Sequence, residues 1–482
     1  MATLSMEAYF GDVAGLLDRS LAAGEVYTCR LDAENSDFVR LNRGKVRQPG
    51  SVAQCYLRLH LVSGHRHAEQ CLTVSGDAGR DREPILAALA RLRATLAALP
   101  DDPHLSYATD VRPSRVVRSE AALPAETIIE TVLEAARGLD LVGLYAGGPV
   151  YRGFANSFGQ RNWHEVTSFS LQWSLYHRAD KAVKSAYGGF AWDDAAFAAK
   201  MADARERLAL LGRPARSLEP GRYRAYLTPS AMEEIAGMLC WGGFSGRALE
   251  TRQSCLFRLR DGSAELDPSV SFSENILKPF FRDMGDHQFL KMMRLVLVGF
   301  TCMVTFFALN SDASIYKMVE NAYKVTLVGA FVPLVDAGRM VGSLVNPRTA
   351  REFTLVHNGA NASEVPESLD MRAGSVAAAD ALAMLDTGLY ISNLWYLNFS
   401  DRTACRLTGM TRFASFWVEG GRIVAPVDVM RFDDSVFRLL GQELVGLTSE
   451  RELLVNSDSY HQRNANSMRL PGAVVREMAF TL

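Results

Sequence analysis

The sequence has no C-x-x-C pair, no excess of either charge and an odd number of cysteines. The cysteines are Cys29, Cys55, Cys71, Cys240, Cys255, Cys302 and Cys405. Their scattered spacing argues against a disulfide framework and predicts reduced, mostly buried thiols. With 52 Lys and Arg against 54 Asp and Glu, the net charge is −2. This balance lacks the basic footprint of a nucleic-acid-binding protein, so we expect no nucleic acid partner.

Long apolar runs are also scarce. The uncharged stretch at residues 295–309, LVLVGFTCMVTFFAL, has 15 residues, fewer than the roughly 18 to 20 that a membrane-spanning helix needs. Its Val, Phe and Thr content favours a buried strand or core helix. The N-terminal residues are amphipathic and include acids, which is not typical of a signal peptide. We therefore expect no membrane association and a cytoplasmic location.

A complete zinc-peptidase motif is missing around His164 and Glu165. In H-E-x-x-H the two imidazoles share a helical face, because residues i and i+4 are about 40° apart. Position 168 is Ser168 and the next residue is Phe169, and neither side chain binds zinc. A packing or hydrogen-bonding role for His164 is therefore favoured.

The patterns that are present predict an α+β fold in two domains. The chain has 482 residues, too many for one ordinary core. Helical spacing after Ser5, a strand meander with turns at residues 43–44 and 63–64, and later helices predict an N-terminal α+β domain with an antiparallel sheet over residues 1–212. Alternating strands and glycine turns predict a β-rich C-terminal domain over residues 222–482, after a linker that starts at Gly212. A helix is predicted at residues 230–240, with Glu233 and Glu234 in its first turn, where they would complement the helix dipole.

Three long stretches resemble the TldD/PmbA family. They are residues 34–50 (ENSDFVRLNRGKVRQPG), 151–193 (beginning YRGFANSFGQRNWHEVTSF) and 387–427 (beginning TGLYISNLWYLNFSD). The resemblance implies an α+β domain followed by a β-rich domain. It also implies two related subunits that form a heterodimeric zinc metallopeptidase acting on unfolded or modified peptides in the bacterial cytoplasm. In this family the TldD-type subunit carries H-E-x-x-x-H and a distant cysteine as zinc ligands, and the PmbA/TldE-type subunit lacks them.

The residues at the corresponding places predict the second type. Residues 230–250, where the motif helix is expected, contain no histidine, and none of the nine histidines in the chain begins H-E-x-x-x-H. Ahead of FWVEGG the sequence is Arg412, Phe413, Ala414 and Ser415, and Cys405 comes several residues too early. Catalytic zinc needs about three protein ligands and a water. We therefore predict a non-catalytic subunit without a cofactor of its own, and we expect zinc in a TldD-like H-E-x-x-x-H partner.

Two other functions stay open on the sequence alone. The chain could be a homodimeric peptide-binding or scaffold protein without peptidase activity, or an independent hydrolase with unconventional residues. Residues 277–331 also depart from the resemblance, because they are longer and more apolar than expected. They could form an insertion at a subunit interface, an oligomerisation element or a local divergence.

Two polar segments supply the candidate peptide- or partner-binding residues, and no residue is predicted to be catalytic or to bind a metal. Polar residues on a rigid scaffold often carry binding, although a hydrogen-bonded loop network is the favoured explanation of the first segment. The Gly/Asn-rich loop at residues 357–363 could approach a peptide backbone, although turn chemistry accounts for its composition too. The candidates are Tyr151, Arg152, Asn156, Gln160, Arg161, His164, His357 and Asn358.

Overall fold

The computed structural model describes residues 5–109, 111–118, 123–178, 181–275, 331–459 and 461–481. The apolar segment at residues 277–331, including the stretch at 295–309, lies outside these ranges apart from Phe331. That residue begins a strand. The α+β class predicted from the sequence is confirmed, with an antiparallel sheet and helices followed by a β-rich region.

Nine α-helices occur in the described residues. They are α1 (Met6–Ser20), α2 (Ala78–Leu96), α3 (Ala125–Ala135), α4 (Asp194–Leu211), α5 (Pro229–Cys240), α6 (Gly246–Glu250), α7 (Phe257–Arg260), α8 (Pro347–Phe353) and α9 (Ala381–Leu385). The first is capped as its sequence suggests, since the Ser5 hydroxyl accepts a hydrogen bond from the amide of Ala8 at 3.2 Å. Among the helices that the structure describes, none combines the length and apolar character needed to cross a membrane.

The N-terminal sheet has seven strands in the order β3-β2-β1-β5-β6-β4, and β7 also pairs with β6. The strands are β1 (Glu25–Asn42), β2 (Lys45–Ser63), β3 (Arg66–Thr73), β4 (Ser114–Arg118), β5 (Asp140–Asn156), β6 (Arg161–Arg178) and β7 (Lys181–Gly189). Both predicted turns join the meander β1 to β3. At the first, Arg43 and Gly44 have φ values of 52° and 64°, as the tight two-residue hairpin turns require.

The C-terminal sheet has eleven strands. They are β8 (Gly221–Leu227), β9 (Phe272–Asn275), β10 (Phe331–Asp336), β11 (Arg339–Met340), β12 (Ser368–Met371), β13 (Gly388–Asp401), β14 (Arg406–Glu419), β15 (Arg422–Pro426), β16 (Arg431–Ser435), β17 (Leu444–Val455) and β18 (Ser467–Phe480). Their order is β11-β10-β9-β12-β18-β16-β14-β13-β8, with β15 on β14 and β17 on β18. Because β8 pairs with β13 and also with β18, five of these strands close into a ring.

The two sheets share a hydrophobic core. Leu171 and Trp173 of β6 and Phe197 of α4 pack in one buried cluster with Tyr390 of β13 and Phe416 of β14. Aromatic side chains of this size bury large apolar areas, so the domains are joined by more than the connection that leads into β8. The six cysteines in the described residues are free thiols, and all but Cys71 are buried.

Candidate functional site: a cleft between the two sheets

A cleft of about 370 Å³ lies where α4 and β7 of the N-terminal domain face α5, β13 and β17 of the C-terminal domain. Its volume falls within the range of small-molecule and peptide sites. The lining side chains are mostly polar or charged, and they come from both domains. They include Lys184, Lys200, Asp203, Arg207, Tyr226, Thr228, Ser230, Tyr390, Ser392 and Glu452.

Helix α5 is fixed at the cleft by its first residues. Thr228 caps the helix by accepting a hydrogen bond from the Ala231 amide at 3.3 Å, and its hydroxyl donates to the carbonyl of Ser392 at 2.7 Å. Pro229 follows in the first turn, where its missing amide hydrogen costs nothing. The N-terminal end of α5 is thereby held against β13.

The prediction that Glu233 and Glu234 occupy the first turn of this helix is wrong. The helix begins at Pro229, and its first turn contains no acidic residue. Both carboxyl groups instead lie at the join between the domains, where burial raises their pKa values. For Glu233 the neighbouring Glu234 adds to the effect of burial and Lys184 opposes it, so the pKa reaches about 7.

A β-bulge on β14 lies opposite Ser392 of β13, which lines the cleft. Ile391 pairs with Ser415 and Asn393 pairs with Arg412, so two residues of β14 lie opposite the single residue Ser392. Bulges of this kind redirect a side chain and are common beside functional sites. Phe413, one of the two β14 residues in the bulge, has a φ of 65°.

Four buried polar atoms without a hydrogen-bond partner surround this bulge. They are Tyr390 Oη, Ser392 Oγ, Asn393 Oδ1 and Ser415 Oγ, none of which is paired within the described residues. The residues that carry them are 3–7% exposed. Buried polar groups are nearly always hydrogen-bonded in folded proteins. Four unpaired polar atoms in one place therefore indicate a position that could accept hydrogen bonds from, or donate them to, a ligand.

Charged groups along the cleft are mostly paired with each other. The guanidinium of Arg207 lies 2.7 Å from Asp203 Oδ1 and 4.8 Å from the centre of the Tyr390 ring, an arrangement that fixes the tyrosine by a cation–π contact. Lys200 forms an ion pair with Glu452. These pairs largely neutralise their own charges.

The residues that the sequence suggested on β5 and β6 fall into two separate groups. Arg152 and His164 face each other across the strands, and Arg152 Nη1 donates to Glu367 Oε2 at 2.9 Å. Burial and the adjacent Arg152 lower the pKa of His164. The Tyr151 ring lies 6.0 Å from that of Trp163, so this group packs on the N-terminal core and reaches the C-terminal domain through Glu367.

The second group builds the turn between β5 and β6. Asn156 accepts two backbone amides of the turn at 3.0 Å each, and Gln160 donates to the carbonyl of Arg112 at 2.7 Å. Arg161 donates to Asp18 of α1 at 2.6 Å. These contacts are those of the hydrogen-bonded loop network that the sequence left open.

The other two predicted residues lie on the loop after α8. Asn358 is occupied by the backbone, since its side chain donates to the carbonyl of Ser343 at 2.7 Å and accepts from the amide of Val345 at 2.9 Å. His357 is exposed. Within the described residues, none of the eight predicted positions lines the cleft.

The residues at the expected metal position do not fit a catalytic zinc ion. Helix α5 supplies Glu233 and Glu234 there, and β14 supplies Ser415 in place of a thiolate. Across the described part of the chain, no three His, Cys, Asp or Glu side chains come together as a metal site would need.

The C-terminal part of the sequence matches a known family. Residues 330–482 match the family described as PmbA/TldA metallopeptidase C-terminal domain. The chain carries a PmbA/TldD C-terminal domain. This confirms the family predicted from the sequence. A comparison with curated protein sequences finds no match.

Three solved structures have the same fold over almost the whole chain. TldE from Thermococcus kodakarensis is 10% identical, with a TM-score of 0.70 over 98% of this chain and 100% of that one. A protein described as a modulator of a DNA gyrase from Thermotoga maritima is 12% identical, with a TM-score of 0.69 over 99% and 100%. A protein with a similar description from Bacteroides thetaiotaomicron is 13% identical, with a TM-score of 0.67 over 99% and 98%. At these identities the likeness establishes the fold.

The cleft residues of this PmbA/TldD-type chain were not predicted from the sequence. Lys184, Arg207 and Tyr390 lie on three elements that are distant in sequence, and no short motif contains them. Glu233 and Glu234 stood out only as helix-dipole partners. The one available signal was this pair of adjacent acids within an otherwise apolar helix. Burying a carboxyl group costs free energy unless it is paired or hydrogen-bonded, so such a pair suggests a special position.

Proposed function

We propose that this chain is the non-catalytic, TldE/PmbA-like subunit of a heterodimeric zinc metallopeptidase. In this proposal it binds a TldD-like subunit carrying H-E-x-x-x-H and completes the chamber in which unfolded or modified peptides are cleaved, in the cytoplasm. The observation that carries the proposal is a PmbA/TldD C-terminal domain in a chain whose histidines never begin the H-E-x-x-x-H motif. Zinc chemistry then has to be supplied by the partner.

The cleft supports a role in holding peptides. Strand β7 pairs only with β6 among the described strands, and its residues Lys184, Ser185 and Ala186 line the cleft. An extended peptide commonly binds by adding a strand to such an edge. A subunit without metal can therefore contribute an edge and walls that hold the substrate in position.

The proposal is tested by purifying the chain alone and together with an H-E-x-x-x-H partner. We expect less than stoichiometric zinc and no cleavage of an unstructured peptide for the lone chain, and one zinc ion with chelator-sensitive cleavage for the complex. A complex whose partner carries alanine in place of the first motif histidine serves as the control and is expected to assemble without activity.

Three results would overturn the proposal. Stoichiometric zinc in the lone chain would show that this chain holds a complete ligand set of its own. Peptide hydrolysis by the lone chain that survives a chelator would favour an independent hydrolase. A lone chain that forms homodimers, binds peptides and fails to assemble with any H-E-x-x-x-H subunit would instead favour the scaffold function.

A further inference from the structure

The cleft presents hydrogen-bond donors that have no acceptor. Tyr390 and Ser392 both line it, and neither side-chain hydroxyl has a hydrogen-bond partner within the described residues. The two residues are each 4% exposed, so bulk water does not replace the missing bonds freely. A ligand that offers oxygen acceptors at this point would satisfy both groups at once.

The surrounding field favours a negative charge on that ligand. The first turn of α5 contributes Pro229 and Ser230 to the cleft wall, and the N-terminal end of a helix of this length attracts anions. Lys184 also lines the cleft, and it forms no hydrogen bond or ion pair with any residue that the structure describes. Its ring contact is with Phe413, whose centre lies 5.6 Å from the ammonium group.

The acidic groups nearby limit how much negative charge the site accepts. Glu233 and Glu234 both interact with Lys184, and Glu452 is paired with Lys200 at the same cleft. A dianion such as phosphate would meet these carboxylates. A singly charged carboxylate meets one unpaired ammonium group and two hydroxyl donors, which matches both its charge and its two oxygens.

We propose that the cleft binds the carboxylate at the end of a peptide chain. Tyr390 and Ser392 donate hydrogen bonds to it, Lys184 balances its charge, and the preceding peptide residues run along the edge of β7. That the carboxylate belongs to a peptide rests on the proposed function. The presence of an anion site rests on the cleft itself.

Calorimetric titration of the full chain with two matched ligands tests the proposal. The ligands are N-acetyl-trialanine with a free carboxylate and the same compound as its C-terminal amide, each titrated into the wild type and into the variants Tyr390→Phe, Ser392→Ala and Lys184→Met. We expect the carboxylate form to bind at least about tenfold more tightly than the amide. Each substitution is expected to weaken binding of the carboxylate about five- to tenfold, the loss typical of one hydrogen bond to a charged group.

The controls make the same chemical changes elsewhere. Tyr396→Phe alters a tyrosine that is 80% exposed, and Lys45→Met alters an exposed lysine on β2; both are expected to bind as the wild type does. Tyr390→Phe should also raise the melting temperature of the free protein by about 2 °C, because removing an unpaired buried hydroxyl removes its desolvation penalty. A purely structural tyrosine would instead lose stability.

Several outcomes would overturn the proposal. These are no binding of either peptide at millimolar concentration, equal binding of the acid and the amide, wild-type affinity in both Tyr390→Phe and Ser392→Ala, and competition by inorganic phosphate as strong as that by the carboxylate. None of these measurements needs zinc or a partner. Carboxylate-selective binding in a chain that fails to assemble with any H-E-x-x-x-H subunit would therefore keep this site while refuting the heterodimer.

Discussion

Glu233 is a single carboxyl group whose protonation is changed by the fold. Burial, helped by the adjacent Glu234, raises its pKa from 4.5 to about 7. Between these two values the folded protein holds a proton that the unfolded chain has released. The free energy of unfolding therefore falls as the pH rises through this window, and the stabilising effect of that proton is fully lost above about pH 7.

Replacing Glu233 by glutamine should flatten this pH dependence. One pKa unit corresponds to about 1.4 kcal/mol. The free energy of unfolding of the variant, relative to that of the wild type, should therefore rise by on the order of 2–3 kcal/mol from pH 4.5 to pH 8. Urea denaturation at the two pH values measures the gain. Part of the slope should persist, because burial also raises the pKa of Glu274 to about 7.

The matched control is Glu265→Gln, since Glu265 has a side chain that is 61% exposed and forms only a surface ion pair with Arg339. It should follow the wild-type curve. Parallel curves for Glu233→Gln and the wild type would show that Glu233 is ionised as easily in the folded state as in the unfolded one. The sequence predicted that α5 would be a helix, but the burial of this glutamate depends on residues that arrive from the other domain.

At the scale of single elements, the hairpin of β5 and β6 contains a position where only glycine fits. Gly148 has a φ of 139°, and a Cβ atom there would lie 2.1 Å from the carbonyl oxygen of Asn35 on the neighbouring strand β1. Backbone atoms on a paired strand cannot move aside cheaply. The glycine therefore allows β1 and β5 to approach each other.

Gly148→Ala should destabilise the protein by more than about 3 kcal/mol, combining backbone strain with a steric clash. Gly159→Ala on the same hairpin is the control, because Gly159 has a φ of 92° but no atom lies within 4 Å of the place that a Cβ atom would take. It should lose only about 1 kcal/mol. Urea denaturation of the three proteins decides the matter, and similar losses for both variants would mean that strain alone accounts for the effect.

Much of the element structure could be predicted, because alternation, glycine turns and helix caps are local properties of the sequence. The meander β1 to β3 and its two turns are examples. The bulge of β14 opposite Ser392 was not predicted, since a bulge depends on how two strands pair and leaves no trace in either strand alone.

At the scale of the whole molecule, one arginine from the C-terminal domain is buried in the N-terminal sheet. Arg463 is 6% exposed, and its guanidinium donates to the Ser36 hydroxyl at 2.9 Å and to the Ser168 carbonyl at 2.7 Å. Its backbone amide donates to the buried carboxylate of Glu34 at 3.2 Å. Burial lowers the pKa of Arg463, and Glu34 opposes that change.

Arg463→Met should lower the free energy of unfolding by about 3 kcal/mol. The substitution leaves the Ser36 hydroxyl on β1 and the Ser168 carbonyl on β6 without the guanidinium donor. Arg339→Met is the control, since Arg339 has a side chain that is 74% exposed and its pair with Glu265 contributes less than about 1 kcal/mol. Differential scanning calorimetry measures both. An equal, small loss for the two variants would show that Arg463 is not a main link between the domains.

The cleft could not be predicted at this scale. Its side chains extend from Lys184 to Glu452 along the chain, and their proximity is a product of the shared core. The candidate residues on β5 and β6 were chosen because polar and aromatic residues are dense there, and in the structure they form a turn and a contact with Glu367, so their role in binding stays a prediction. A sequence motif shows which residues are neighbours in the chain, whereas this site depends on neighbours in space.

The long stretch of chain between the N-terminal sheet and Arg463 sets the order of events during synthesis. A ribosome releases the N-terminal sheet hundreds of residues before it reaches this arginine, and translation adds roughly 5–20 residues per second. For many seconds the nascent sheet would therefore hold Glu34 and Ser168 with their partner still unmade. The N-terminal sheet should accordingly remain incompletely packed, and sensitive to proteases, until the segment that carries Arg463 has been synthesised.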